Sequence, residues 1–137
     1  MQKLIYWLAP FYTFCIAIGS LTDSKIPKVD INNIDKVYHT VAYFIMMVVW
    51  YVFFYHRFFE RQLNFKYNLI TIFSEWSKTI AIGAAVISTV IGGSIELGQG
   101  FISQNRSMDI YDFIANTSGI IIAVFVLWIL SFVITKR

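Results

Sequence analysis

Charged residues are scarce in this sequence. Only 14% of its 137 residues are Asp, Glu, Lys or Arg, whereas 58% are hydrophobic and 18% are aromatic. A soluble domain of this length needs more charge to cover its surface, so the composition excludes an ordinary soluble domain. The net charge of +3 does not indicate a nucleic-acid partner, because the basic residues lie in small groups between apolar runs.

Cysteine is almost absent as well. The single Cys15 excludes an intrachain disulfide, and no His or Cys lies near it at the spacing of a metal site. The sequence contains no H-E-x-x-H segment or other recognised metal motif. We therefore predict no cofactor and no metal site.

Four long apolar runs make up most of the chain. Each approaches the roughly 20 residues that a helix needs to cross about 30 Å of hydrocarbon. The runs are apolar all round rather than alternating, which favours helices over the strands of a barrel. We predict a single domain over residues 1–137 with an all-α fold, a transmembrane four-helix bundle. Its helices are expected at residues 4–21, 37–54, 79–102 and 110–134.

The first run has a competing interpretation as a cleaved signal peptide. Lys3 precedes it, and the small residues Ala17 and Gly19 have the spacing of a cleavage site. However, the run is long, and Trp7 and Pro10 are unlike the aliphatic core of a signal peptide. We therefore favour a retained helix.

Lys and Arg are unevenly distributed among the connections. In a four-helix arrangement, the N-terminus, the middle connection and the C-terminus share one side of the membrane. Seven basic residues fall on that side and four on the other, namely Lys3, Arg57, Arg61, Lys66, Lys78, Lys136 and Arg137 against Lys25, Lys28, Lys36 and Arg106. The positive-inside rule then predicts that both termini are cytoplasmic.

Polar residues recur at helical spacing near the ends of three runs. Asp35 and His39 are four residues apart at the start of the second helix, and Glu96 and Gln99 are three apart near the end of the third. The fourth helix starts with polar residues spaced i, i+3, i+7, and a basic residue precedes it in the hairpin. Connectivity places all of them at one membrane surface, the outer one by the charge count. The candidate binding site therefore comprises Asp35, His39, Glu96, Gln99, Arg106, Asp109, Asp112 and Asn116.

Among the candidate residues, Glu96 is the one whose placement inside a membrane-spanning helix is energetically most costly. A carboxylate near the centre of a spanning helix costs about 2.5–3.5 kcal/mol, so it should face protein or water and have a partner. Arg106 is the expected partner, because its guanidinium offers a forked donor to Glu96, Asp109 or Asp112. The many small residues of the third helix predict that this helix lies at the centre of the bundle.

Non-functional interpretations remain open for several of these residues. His39 can reach interfacial water, and Gln99 and Asn116 can serve as interhelical hydrogen bonds. Asp109 fits a first-turn acid after an N-cap at Ser107. The carboxylates and the histidine could hold a divalent ion only if the helices bring them within coordination distance.

The same residues carry a family resemblance. Residues 35–44 resemble the Asp-Lys-x-x-His-x-x-x-Tyr-Phe signature of the VanZ-like family. The family's E-x-x-Q, R-S and D-x-x-x-N-x-x-G elements resemble Glu96, Gln99, Arg106, Ser107, Asp109, Asp112, Asn116 and Gly119. Two features depart from the pattern: Ala123 stands at the family's second small-residue step, and the hairpin lacks the common Pro-Gly.

This resemblance implies a multi-pass protein of the bacterial inner membrane. The family is named for a member associated with reduced susceptibility to the glycopeptide teicoplanin, and no biochemical mechanism is established for the group. That phenotype does not transfer to this chain through the resemblance.

Three functions fit the candidate site. The first is recognition of a lipid or cell-envelope head group at the outer leaflet, with Arg106 meeting a phosphate or carboxylate. Membrane lipids, and a lipid-linked envelope precursor, are the expected partners. The second is catalysis on a lipid-linked substrate with His39 or Glu96 as general base, although no nucleophile motif lies beside His39 and no catalytic residue is assigned. The third is ion or solute transport through Glu96 and Asp112. We rank them in this order, and the sequence does not indicate an oligomeric state.

Overall fold

The described part of the chain is helical. The computed structural model describes residues 2–22, 34–61, 69–102 and 109–136, and these ranges contain no strand. The helices are α1 (Gln2–Leu21), α2 (Ile34–Glu60), α3 (Leu69–Ser74), α4 (Lys78–Ile102) and α5 (Ile110–Thr135). The predicted all-α helical bundle is confirmed.

Three helices in the described ranges are long and apolar enough to cross a membrane. They are α2, α4 and α5, and the predicted boundaries of α4 and α5 differ from the observed ones by one residue. α2 is longer than its predicted span of 37–54 at both ends, because a helix continues past the end of its apolar run while its backbone hydrogen bonds still form. The apolar part of α1, Ile5–Leu21, is shorter than these three. Its membrane crossing, the fourth in the predicted bundle, stays a prediction.

The connection at residues 55–78 contains a short helix that the sequence pattern does not indicate. Ile72 of α3 is completely buried. The hydroxyl of Thr135 donates to the carbonyl of Ser74 at 2.9 Å, and the hydroxyl of Tyr55 donates to the carbonyl of Glu75 at 2.5 Å. These contacts fix α3 against the C-terminal halves of α2 and α5.

α2, rather than α4, lies at the centre of the bundle. It contacts each of the other four helices and packs most extensively against α5. Among the described glycines, the tightest approach to another helix is at Gly119 of α5, where an added Cβ would clash with the backbone oxygen of Thr40. In contrast, a Cβ at Gly83 of α4 would meet no atom within 4 Å. The prediction of a central third helix is therefore wrong, because its small residues do not all face a neighbouring helix.

Candidate polar binding site

Polar residues from three helices meet at one end of the bundle. α2 begins, α4 ends and α5 begins at this end. α2 contributes Lys36 and His39, α4 contributes Glu96, and α5 contributes Asp112 and Asn116. We call these five residues the polar cluster.

Within the described residues, Lys36 supplies the positive charge at this end of the bundle. Its Nζ lies 3.0 Å from Oδ2 of Asp35 and 2.7 Å from Oδ2 of Asp109, and it also donates to Oδ1 of Asp112. The hydrogen bond from Lys36 is the main reason that the pKa of Asp109 lies below its ordinary value. One ammonium group thus joins the first turn of α2 to the first turn of α5.

Lys36 is not among the residues that the sequence predicts for the site. The apolar run begins at residue 37, so the hydropathy pattern puts Lys36 in the preceding connection. Its i, i+3 spacing from His39 is the signal that places both side chains on one face of α2. Arg106, the predicted cation, lies outside the described residues.

A chain of hydrogen bonds crosses the cluster. His39 Nδ1 lies 2.9 Å from Oδ1 of Asn116, and Nδ2 of Asn116 donates to Oε1 of Glu96 at 3.1 Å. Since the amide nitrogen of Asn116 is used on Glu96, its oxygen faces the imidazole and accepts a hydrogen bond there. Asn116 therefore connects α2 to α4 and determines which imidazole nitrogen carries a proton.

Glu96 is the deepest charged residue of the cluster. Its side chain is 3% exposed and faces the interior of the bundle. Oε1 accepts the hydrogen bond from Asn116, whereas Oε2 is buried and has no hydrogen-bond partner in the described part of the protein. A buried carboxylate oxygen without a partner is costly, because the interior does not replace its lost hydration.

The remaining predicted residues lie around the cluster rather than in it. Gln99 is buried, and its Nε2 donates to the carbonyl of Ser20 at 2.9 Å, which ties α4 to α1. Asp35 contacts Lys36 from the exposed side. Asp109 is the N-cap of α5 and accepts from the backbone N–H of Tyr111 at 2.8 Å, so it is not a first-turn acid behind another cap.

Three members of the cluster come within reach of a common point. His39, Glu96 and Asp112 each present one potential ligand atom, and these atoms all lie within 4.8 Å of one another. Nε2 of His39 is 3.7 Å from Oδ2 of Asp112, and Nδ1 is 3.9 Å from Oε1 of Glu96. These spacings are wider than those around a bound divalent ion, and only one imidazole nitrogen can bind a given ion, so binding requires the side chains to move inwards. Motifs did not indicate this grouping, because each ligand comes from a different helix.

The fold and the cluster define a class of protein. In the described residues, long apolar helices occur together with a buried carboxylate at one end of the bundle, and this combination is that of a small multi-pass membrane protein. The family model described as VanZ/LLP1 matches residues 1–131, and the chain belongs to this family. No curated protein and no solved structure matches the chain.

Proposed function

We propose that this protein binds the polar head group of a lipid or lipid-linked cell-envelope molecule at the polar cluster. The observation that carries the proposal is a gradient of exposure. The side chain of Asp35 at the mouth is 60% exposed, that of Asp112 is 16% exposed and that of Glu96 is 3% exposed. A cluster that is open at the end of the bundle and closed towards its interior suits a group that enters from the membrane surface.

Apolar side chains on the same helical turns support an amphiphilic ligand. Tyr38 lies beside His39, Leu97 beside Glu96 and Tyr111 beside Asp112 along the chain, and all three are exposed. Aromatic side chains of this kind are typical of the membrane interface. A ligand with an acyl chain can contact this apolar rim while its head group occupies the cluster.

The cluster is placed at the outer leaflet in this proposal. The side that carries the N-terminus, the middle connection and the C-terminus holds seven of the eleven Lys and Arg residues, which favours its cytoplasmic location in a bacterial inner membrane. Reporter fusions at residue 137 and within residues 103–108 test this orientation. A periplasmic C-terminus would move the cluster to the inner leaflet.

Transport is less well supported than binding. In the described residues, the buried polar side chains beyond the cluster are Gln99, Ser88, Ser131 and His56, and none of them is a carboxylate. A pathway for ions or protons needs polar groups along its length. Catalysis is also less well supported, because the described hydroxyl next to His39, that of Thr40, lies 2.9 Å from the backbone oxygen of Lys36 and 3.3 Å from that of Ala115 and is engaged there.

Native mass spectrometry of the purified protein tests the proposal. Phosphatidylglycerol or phosphatidylethanolamine is added in detergent, and bound lipid is counted for the wild type and for two variants. We expect His39→Ala to lose the bound lipid while it remains folded, because His39 lines the opening of the cluster. Glu60→Gln, at the opposite end of α2, is the control and should retain the lipid. Equal lipid binding by all three proteins would contradict the proposal.

A further inference from the structure

We propose that His39, Glu96 and Asp112 form a binding site for a divalent transition-metal ion such as Zn²⁺ or Mn²⁺. Their potential ligand atoms lie within 4.8 Å of one another, although the residues come from three different helices. This metal site lies within the polar cluster to which the proposed function assigns lipid binding. Metal binding itself does not depend on that function, and only the last step, contact of the metal with a head group, rests on it.

The hydrogen bond to Asn116 prepares His39 for metal binding. Because the oxygen of Asn116 faces Nδ1 at 2.9 Å, Nδ1 carries the proton and a neutral imidazole has its lone pair on Nε2. Nε2 faces Oδ2 of Asp112 at 3.7 Å, so two acceptors point at each other. A cation between them resolves this repulsion. An outer hydrogen bond that orients the ligating histidine is a regular feature of metal sites.

The charge of the cluster points to the same conclusion. Lys36 is already shared by Asp35, Asp109 and Asp112. No Lys or Arg nitrogen within the described ranges forms an ion pair with Glu96, and Oε2 of Glu96 is buried without a hydrogen-bond partner there. A divalent ion supplies positive charge at Glu96, the carboxylate of the polar cluster that Lys36 does not contact.

The donor set selects the type of metal. One imidazole and two carboxylates suit Zn²⁺, Mn²⁺ or Fe²⁺ better than Ca²⁺ or Mg²⁺, which prefer all-oxygen sites. Ligand atoms about 2.0–2.2 Å from Zn²⁺ must lie closer together than 4.8 Å, so the three side chains close inwards on binding. Three protein ligands leave a coordination position open. In the final step of the proposal, a phosphate oxygen of the head group fills it.

The first experiment measures the metal alone. Protein in detergent is treated with a chelator, the chelator is removed, and ZnCl₂ is titrated while heat and bound metal are recorded. We expect one Zn²⁺ per chain in the wild type. Affinity should fall by at least about tenfold in Glu96→Gln and Asp112→Asn, which remove a charged ligand, and by roughly 10–100-fold in Asn116→Ala, which removes the group orienting His39. Glu60→Gln makes the same chemical change as Glu96→Gln at the opposite end of α2 and should bind Zn²⁺ normally.

Two further outcomes would overturn the metal site. One is a wild type that binds no Zn²⁺ after chelator treatment. The other is an equal loss of affinity in Asp109→Asn and in Glu96→Gln, because that result indicates loose attraction to an acidic surface. Size-exclusion profiles and helical circular dichroism show whether each variant is folded. If Glu96→Gln does not fold, Asp112→Asn takes its place as the variant that lacks a charged ligand.

The second experiment separates the metal site from the proposed function. Binding of phosphatidylglycerol is compared with Zn²⁺ and with chelator, and again in excess inorganic phosphate. Lipid that binds only with Zn²⁺ and is weakened by excess phosphate supports the whole proposal. Lipid binding without any Zn²⁺ binding overturns the metal site and leaves the proposed function standing. Zn²⁺ binding without lipid binding, or with lipid binding that does not depend on Zn²⁺, overturns the head-group step and leaves the metal site standing.

Discussion

The two ends of the bundle differ in where their charged side chains lie: they are partly buried at one end and exposed at the other. At the end formed by the start of α2, charged side chains face one another across three helices, and Glu96 is buried. At the other end of α2, Arg57 and Glu60 lie on the helix surface 3.8 Å apart, and both are exposed. Charge that stays on the surface costs little, whereas buried charge has to be justified by a partner or a ligand.

The interior of the second end is aromatic. The rings of Tyr51 and Trp76 stack with centroids 5.8 Å apart, and the rings of Tyr55 and Phe59 are 4.7 Å apart. The hydroxyl of Tyr55 donates to a backbone oxygen, whereas the buried hydroxyl of Tyr6 has no hydrogen-bond partner in the described residues. We infer that the aromatic end mainly stabilises the fold through its packed rings, while the polar end buries a carboxylate oxygen that a ligand can contact.

The largest effect is expected where α2 and α5 cross, at the inner edge of the polar end. In Gly119→Ala, the new Cβ would clash with the carbonyl oxygen of Thr40, and a backbone atom cannot move aside without separating the helices. Overpacking of this kind costs about 1–3 kcal/mol, and here we expect the upper part of that range. Thermal unfolding in detergent measures it.

Gly83→Ala is the matched control. No atom lies within 4 Å of the new methyl group, and alanine is favoured over glycine in a helix by about 0.5–1 kcal/mol. Its unfolding temperature should be unchanged or higher. If both variants unfold at the same temperature, the close crossing does not hold the polar cluster together.

The next effect concerns function rather than stability. Glu96→Gln keeps an oxygen to accept from Asn116 but removes the buried charge. We therefore expect loss of Zn²⁺ and lipid binding together with an unfolding temperature equal to or above that of the wild type, because an uncompensated charge no longer has to be buried. Parallel titrations and melting curves for Glu60→Gln give the surface reference. A large fall in stability of Glu96→Gln would show that Glu96 is structural.

Tyr55→Phe tests the aromatic end. The variant removes the hydroxyl that donates to the carbonyl of Glu75 at 2.5 Å and leaves the ring in place. A lost hydrogen bond of this kind costs about 1 kcal/mol, so the unfolding temperature should fall moderately. Zn²⁺ and lipid binding should not change. Reduced binding in this variant would mean that the two ends of the bundle are coupled.

The sequence predicts the polar end well because helical spacing and connectivity are enough to locate it. His39, Glu96, Asp112 and Asn116 share helix ends that an antiparallel bundle brings to one surface, and the structure places them in contact. Spacing does not tell which neighbour a side chain reaches. Gln99 is three residues from Glu96, yet it turns to α1 because α1 packs against that side of α4.

Other features depend on tertiary contacts that no local pattern reports. The six residues of α3 are too few for a periodic signal, and burial of Ile72 against the other helices stabilises the turn. The central position of α2 depends on which small residues face a neighbouring helix. Residue type alone does not distinguish Gly119, which packs against α2, from Gly83, where an added Cβ would meet no atom within 4 Å.

The smallest effect is expected at Asp109, on the exposed rim of the polar end. Asp109→Asn keeps an N-cap for α5 but removes the charge paired with Lys36. Because its pKa is below the ordinary value of 3.8, the carboxylate contributes stability that is fully present above that value and is lost as the pH falls through the lowered pKa in the folded state. The wild type should therefore melt slightly above the variant at pH 7, and the difference should persist to about pH 4 and disappear only below it. High salt should reduce the difference at pH 7, because this pair lies at the surface. If the difference in melting temperature between the two proteins depends on neither pH nor salt, the effect arises from the N-cap of α5. Asp112 and Asp35 would then be sufficient to position Lys36, and its ion pair with Asp109 would not contribute to stability.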